Sequence, residues 1–253
     1  KLDSDKNSAG DFWIQAASGS GTVHGNLTLT SVTGNVTQGT ALTVGGTTSV
    51  TTSATDATIT LGSANAFTGD VTLSTTGNNA HATIDGGTTA LGFDASTVGG
   101  NLTLTSGEAI TDDGLLTIGG NLSATTDVNN KAITFGTLAV DGTIAVTTNG
   151  TTGNVTLVND AGLDFAASTV DGTLSATATT GNISDSAAQT ILGAATYITS
   201  ATGSNIILDH ASNTYAAGVT FKAETDGSEA FGNLTFVDTG GIKLDSDMTS
   251  AGD

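Results

Sequence analysis

The chain has 253 residues, of which 24 are acidic and five are lysine, with no arginine, for a net charge of −19. With no basic patch to neutralise phosphates, nucleic acid is excluded as a partner. With no cysteine there are no disulfides or thiolate metal sites, and no apolar run reaches the ~20 residues of a membrane span. Only 11% of residues are charged, so Thr, Ser, Asn and Gly must make up most of the surface.

The first eleven residues, Lys1 to Asp11, return as Lys243 to Asp253, an offset of 242, with differences only at Lys6/Met248 and Asn7/Thr249. Self-matching ends mark one period of a tandem array plus the start of the next copy. Phe12-Trp13-Ile14 follows and holds the only tryptophan. It is read as core packing of an extra coil at the seam rather than as a binding platform.

From Thr22 a shorter period begins. Thr22-Val23-His24-Gly25-Asn26-Leu27-Thr28-Leu29-Thr30 recurs from Thr97 and, more worn, from Thr169. Val44-Gly45-Gly46 matches Ile118-Gly119-Gly120 and Leu192-Gly193-Ala194, at steps of 74. Asn65-Ala66-Phe67 with Val71-Thr72-Leu73 matches Asn213-Thr214-Tyr215 with Val219-Thr220-Phe221, at 148. Residues 1–253 therefore read as one continuous domain of three sub-repeats of about 74 residues and an extra coil.

Within each sub-repeat, Leu27-Thr28-Leu29, Leu42-Thr43-Val44, Ile59-Thr60-Leu61 and Val71-Thr72-Leu73 alternate aliphatic residues with threonine, the period-two signature of strands. Gly-Asn, Gly-Gly and Asn-Gly pairs separate them and are expected to supply positive φ at corners. The chain has 35 glycines and no proline, as suits strands paired on both sides. Strands this short cannot bury a face alone but can do so when coiled on one another. The fold expected is all-β: a parallel β-helix, or β-solenoid, right-handed by the crossover rule. It should have roughly 20–25 residues per coil and about ten to twelve coils at ~4.8 Å spacing. A β-sandwich is the structural alternative, since it too alternates short strands and turns.

The run from Ser96 to Ser106, then Ala109-Ile110-Thr111 and Leu115 to Leu122, resembles the repeats of filamentous-haemagglutinin-like bacterial exoproteins. Ala57 to Leu61 and Asn65 to Leu73 continue the likeness, which covers most of 20–221. It implies a β-helical segment of a very large protein, secreted or held at the bacterial cell surface, and used in adhesion, biofilm and cell–cell contact.

Little points to catalysis. His24, His81 and His210 lie in different sub-repeats without a recurring acidic or serine partner, and are expected at solvent-exposed coil positions. Asp112-Asp113 is the one adjacent acidic pair, and no arginine is present for a lyase base, so no enzyme is expected. The candidate metal ligands are Asp3, Asp5 and Asp11, repeated as Asp245, Asp247 and Asp253. These hard oxygens in a recurring loop suit calcium, the alternative being a solvated acidic turn. No other cofactor is expected. The pairs Thr28/Thr30, Thr58/Thr60 and Thr103/Thr105 are read as strand propensity rather than an ice-binding rank. Eight Asn-x-Ser/Thr matches, among them Asn26, Asn101, Asn121 and Asn233, are read as asparagines stacked at coil corners, with glycosylation as the alternative.

The expected role is structural: a stalk or fibre segment whose partners are neighbouring copies stacked end to end. A module binding glycans or other cells through a lateral face is the alternative, and a polysaccharide-degrading enzyme a distant third.

Overall fold

A computed structural model describes residues 5–8, 10–14, 21–223 and 232–241. No helix occurs among them, and every strand pairing is parallel. The fold is a β-solenoid of about ten turns. It forms two compact units, Lys1–Asp127 and Val128–Asp253.

In the first unit three ranks of strands stack. The first rank is Asp5–Ser8, Leu27–Ser31, Thr48–Thr55 and Val71–Thr76. The second runs Phe12–Ile14, Val36–Gln38, Ile59–Leu61, Ala82–Asp85, Leu102–Ser106 and Leu122–Asn129. The third, Gly21–Val23, Leu42–Val44 and Ala66–Phe67, is the shortest. At Val71–Thr76 the ranks exchange roles. That one long strand pairs with two short ones, Leu91–Phe93 through Val71↔Phe93 and Ser96–Val98 through Ser74↔Thr97. The short pair continues into Ile110–Asp112 and Leu116–Ile118, while the second rank takes over the long strand.

The second unit is built the same way. Ile133–Val140 leads a long rank through Val155–Asn159, Leu174–Ala178, Ala195–Thr199 and Val219–Ala223. Ile144–Asn149 is the splitting strand, pairing with both Leu163–Phe165 and Ser168–Val170. These extend into Ile183–Asp185, Ile206–Leu208 and Leu234–Phe236 on one line. Gln189–Ile191 and Thr214–Tyr215 follow on the other.

The exchange explains a relation that periodicity alone misplaces. Leu27 and Leu102 are equivalent in sequence and both fully buried, but Leu27 starts a first-rank strand and Leu102 a second-rank strand. Despite their equivalence in sequence they lie on different sheets. Paired strands advance by 19 residues (Leu91↔Ile110) to 28 (Ile206↔Leu234), and the steps from Leu27 fall on Thr48, Val71 and Phe93 rather than on Leu102, so an offset of 75 is not a whole number of coils. Leu174, the third equivalent, is buried on the long rank of the second unit.

Alternation does the rest. Strands such as Leu27–Ser31 and Leu102–Ser106 place residues one, three and five inside and the threonines outside. The interior is filled by single files of Leu, Ile and Val with Phe67, Phe93, Phe135, Phe165, Tyr197 and Phe221, all nearly inaccessible. A buried Leu or Ile of this kind is worth roughly 1.5–3 kcal/mol over an exposed one, which offsets the entropy of ordering so many short strands.

The corner glycines work differently from expectation. Positive φ occurs at Gly77, Gly87, Gly150, Gly203 and Gly241, and at the non-glycines Asp56 and Asn130, but not at Gly25, Gly100 or Gly172, which sit at bends. Most corner glycines are needed for close approach instead. Gly99 stacks on Gly77 and Gly119 on Gly99, so a Cβ would stand 2.5 Å and 2.6 Å from the carbonyl oxygen of the coil before. Backbone lies on backbone there, with no room for a side chain.

Candidate functional site

The most developed polar arrangement is a set of side-chain ladders at the corners. The residue just before a strand accepts, through its side chain, the backbone N–H of the residue in the same place one coil later. Asn26 Oδ1 takes the N–H of Thr47 (3.1 Å), Asn35 that of Thr58 (2.7 Å), Asn101 that of Asn121 (2.9 Å) and Asn154 that of Thr173 (2.9 Å). Asn182 takes Asn205 (2.7 Å), and Asn205 takes Asn233 (2.6 Å). Each bond extends the strand ladder by one rung into the corner, where the backbone would otherwise turn away unpaired. The Asn-x-Ser/Thr residues thus stack at corners, as the repeated Gly-Asn-Leu-Thr phrase suggests.

A histidine fills the same place at His81, whose Nδ1 accepts from Asn101 (2.8 Å). Just after strands, Asp56 Oδ1 accepts from Asn79 (3.0 Å) and Asn130 Oδ1 from Thr152 (3.1 Å) in the same coil-to-coil manner. Nothing in their local sequence marks Asp56 or His81 as ladder members; only the stacking does.

The metal candidates fall mostly outside the described residues: Asp3, Asp245, Asp247 and Asp253. Asp5 lies on Asp5–Ser8, paired with Thr28. Asp11 is exposed, and its Oδ1 accepts the N–H of Asn35 at 2.7 Å, so it joins the corner ladder as an aspartate in an asparagine's place. Asp5 and Asp11 belong to the strand and the corner of one coil. Among the described residues no group of three or more His, Asp or Glu is placed to hold a metal ion.

The histidines are not all the exposed coil residues expected. His24 is exposed, but His81 and His210 are half-buried and bonded. His210 Nδ1 accepts from Ser212 N–H at 3.2 Å, and its own N–H points at Asp185 Oδ2. Trp13 departs from expectation in the opposite sense: it is 66% exposed rather than packed in a core. Alternation compels this, because its neighbour Ile14 occupies the inward position at 2% exposure. The indole lies over Gly39, where a Cβ would stand 2.8 Å from Nε1.

Inside the coils, buried asparagines tie a corner to the coil before it. Asn65 Oδ1 accepts from Leu42 N–H (2.8 Å) and Gln38 Nε2 (2.7 Å), and its Nδ2 donates to Leu61 and Asp85 carbonyls at 3.0 Å. Asn213, its partner at an offset of 148, accepts from Gln189 N–H at 2.8 Å and donates to Asp185. Burial holds the Asp185 carboxyl above its ordinary range, against hydrogen bonds from Asn213, Asp209 and His210 that favour the ionised form. Nearby, the hydroxyls of Tyr197 and Tyr215 meet at 2.9 Å in the core. Burial, first of all, pushes both phenols up. On the surface of the first unit, desolvation and then the carboxylates of Asp94 and Asp113 raise Asp70. Asp70, Asp94 and Asp113 recur at one-coil intervals, so like charges are stacked there.

A parallel β-solenoid with side-chain ladders at its corners is the class of protein that this fold defines. A family model described as repeats of unknown function (DUF5649) matches residues 9–74, 77–129 and 152–222, and the chain belongs to that family. The widest break between matches, 130–151, contains Ile133–Val140 and Ile144–Asn149, the splitting coil of the second unit. No curated protein and no solved structure matches the chain. Among the described residues no helix is long and apolar enough to cross a membrane.

Proposed function

We propose that the chain is a structural repeat of a giant extracellular or cell-surface bacterial protein, a stalk or fibre segment serving adhesion, biofilm or cell–cell contact. Its partners are neighbouring copies stacked end to end. The observation that carries this reading is the combination of parallel ladders with a repetitive, bland exterior. In the first unit Thr37, Thr60, Thr83, Thr103 and Ser123 succeed one another in register, one per coil. Such a surface suits spanning distance more than recognition, and the reading assigns no catalysis to the chain. Calcium at Asp3, Asp5 and Asp11, with the repeat at Asp245, Asp247 and Asp253, would relieve part of the acidic repulsion. Protease shaving of intact source cells tests the location: an antibody to this chain should lose its signal on shaving. Signal retained until lysis defeats the surface assignment.

One observation favours a second reading, a glycan-binding module. Trp13 heads the same outward column, paired with Thr37, and an exposed indole is a stacking platform for sugar rings. Binding to a polysaccharide array that Trp13→Ala abolishes, with circular dichroism unchanged, would establish it.

A further inference from the structure

We propose that the edge of Leu234–Phe236 receives strand Phe12–Ile14 of a second copy of this chain, in the register Leu234 to Phe12, Thr235 to Trp13 and Phe236 to Ile14. This rests on the end-to-end reading above and adds to it the strand that docks and its alignment.

Two observations converge on this edge. Leu234 and Phe236 continue the line of Ile206 and Leu208, which are fully buried, yet are themselves only partly covered. Phe236 already packs on Tyr215 (4.9 Å between ring centroids) and Phe221 (5.3 Å), so one side of it is core and the other awaits cover. Second, the corner ladder stops there unfinished. Asn182 accepts from Asn205 and Asn205 from Asn233, but among the described residues no N–H reaches Oδ1 of Asn233. In the first unit the corresponding column starts with Asp11, which accepts from Asn35, which accepts from Thr58. Asp11 precedes Phe12 as Asn233 precedes Leu234.

The chemistry of the two edges agrees. Ile14 points inward and would cover Phe236. Trp13 and Thr235 are both outward, so the indole would join the exterior column rather than be forced into the core. The N–H of Asp11 would complete Asn233 as that of Asn233 completes Asn205. With a net charge of −19 per copy, repulsion opposes the contact, and added salt should promote it by screening.

The chain has no cysteine, so a pair can be introduced cleanly. Residues paired on adjacent strands lie ~4.8 Å apart, within disulfide reach. Under mild oxidation, Trp13→Cys/Thr235→Cys should form a reducible series of dimers, trimers and longer multimers that grows with protein concentration and salt. Each single variant should stop at the dimer. Trp13→Cys/Thr239→Cys, whose second site lies in the turn beyond the strand, should form no series. If the unmodified chain multimerises by sedimentation but the first pair gives no series, or both pairs cross-link equally, the register is overturned while end-to-end assembly stands. If the unmodified chain stays monomeric at every concentration and salt, both readings fall.

Discussion

The backbone N–H of Asn101 donates to Nδ1 of His81 at 2.8 Å, across one turn of the solenoid. The imidazole does there what an asparagine carboxamide does at Asn26, Asn35, Asn154 and Asn182. The requirement at the corner is for an acceptor at the right height, and the residue type is secondary.

His81→Asn should therefore leave stability unchanged or slightly raised, whereas His81→Ala should lower it by about 1 kcal/mol, the net worth of one hydrogen bond. Urea denaturation of the three proteins checks this. Equal stability of the asparagine and alanine variants would remove the ladder from the account.

The glycine columns make a sharper prediction. Gly119→Ala would drive a Cβ to 2.6 Å from the Gly99 oxygen, so it should destabilise by about 1–3 kcal/mol, as overpacking does. Gly25→Ala, which meets nothing within 4 Å, should be neutral or mildly stabilising. Comparable melting temperatures for the two variants would show that close approach is not why glycine occupies these corners.

Aromatic residues separate by face. Phe221→Ala should cost roughly 3–5 kcal/mol, since the ring is 1% exposed and stacked 6.0 Å from Tyr197. Trp13→Ala should change stability by no more than about 0.5 kcal/mol, as is usual for surface substitutions. A thermal shift of similar size in both would contradict the outward placement of Trp13.

Asp185 sets a pH dependence whose sign follows from its environment. Burial raises its folded pKa above the unfolded value, so the fold binds the proton more tightly than the unfolded chain does. Its contribution to stability is thus least favourable at neutral pH and improves as pH falls through the folded pKa, levelling off below the unfolded one. The stability of the natural chain relative to Asp185→Asn should rise between pH 7 and pH 4, measured by denaturant titration at each pH. A difference constant across that range would mean the carboxyl is not titrating differently in the fold.

Calcium removal tests the remaining candidate ligands. If Asp3, Asp5 and Asp11 with Asp245, Asp247 and Asp253 hold the ion, excess EDTA should lower the melting temperature and added calcium restore it, because binding to the folded state stabilises by mass action. An unchanged melting curve retires that site.

Much of the fold was legible because β-solenoid rules are local and repeated. Leu42-Thr43-Val44 and Ile59-Thr60-Leu61 read as strands and are Leu42–Val44 and Ile59–Leu61. Asparagine at the corners followed from the Gly-Asn-Leu-Thr phrase. Trp13 faces outward because it alternates with Ile14, and a bulky apolar residue in a three-residue strand does not itself show which of the two faces is the core. Asp56 and His81 were missed as ladder residues because their partners lie 23 and 20 residues away, where no local pattern links them.

The sequence by itself determined the short strands, their period-two alternation, the β-solenoid class and the corner asparagines of the repeated phrase. Those depend on period-two alternation and on glycine, asparagine and threonine at fixed offsets. Only the tertiary structure decided which sheet each sub-repeat occupies. A step of 75 residues from Leu27 passes Thr48, Val71 and Phe93 without falling on a paired residue, which leaves a remainder. That remainder is absorbed where Val71–Thr76 and Ile144–Asn149 each pair with two short strands. It is set by how residues a full turn apart meet in space, which a linear pattern does not contain.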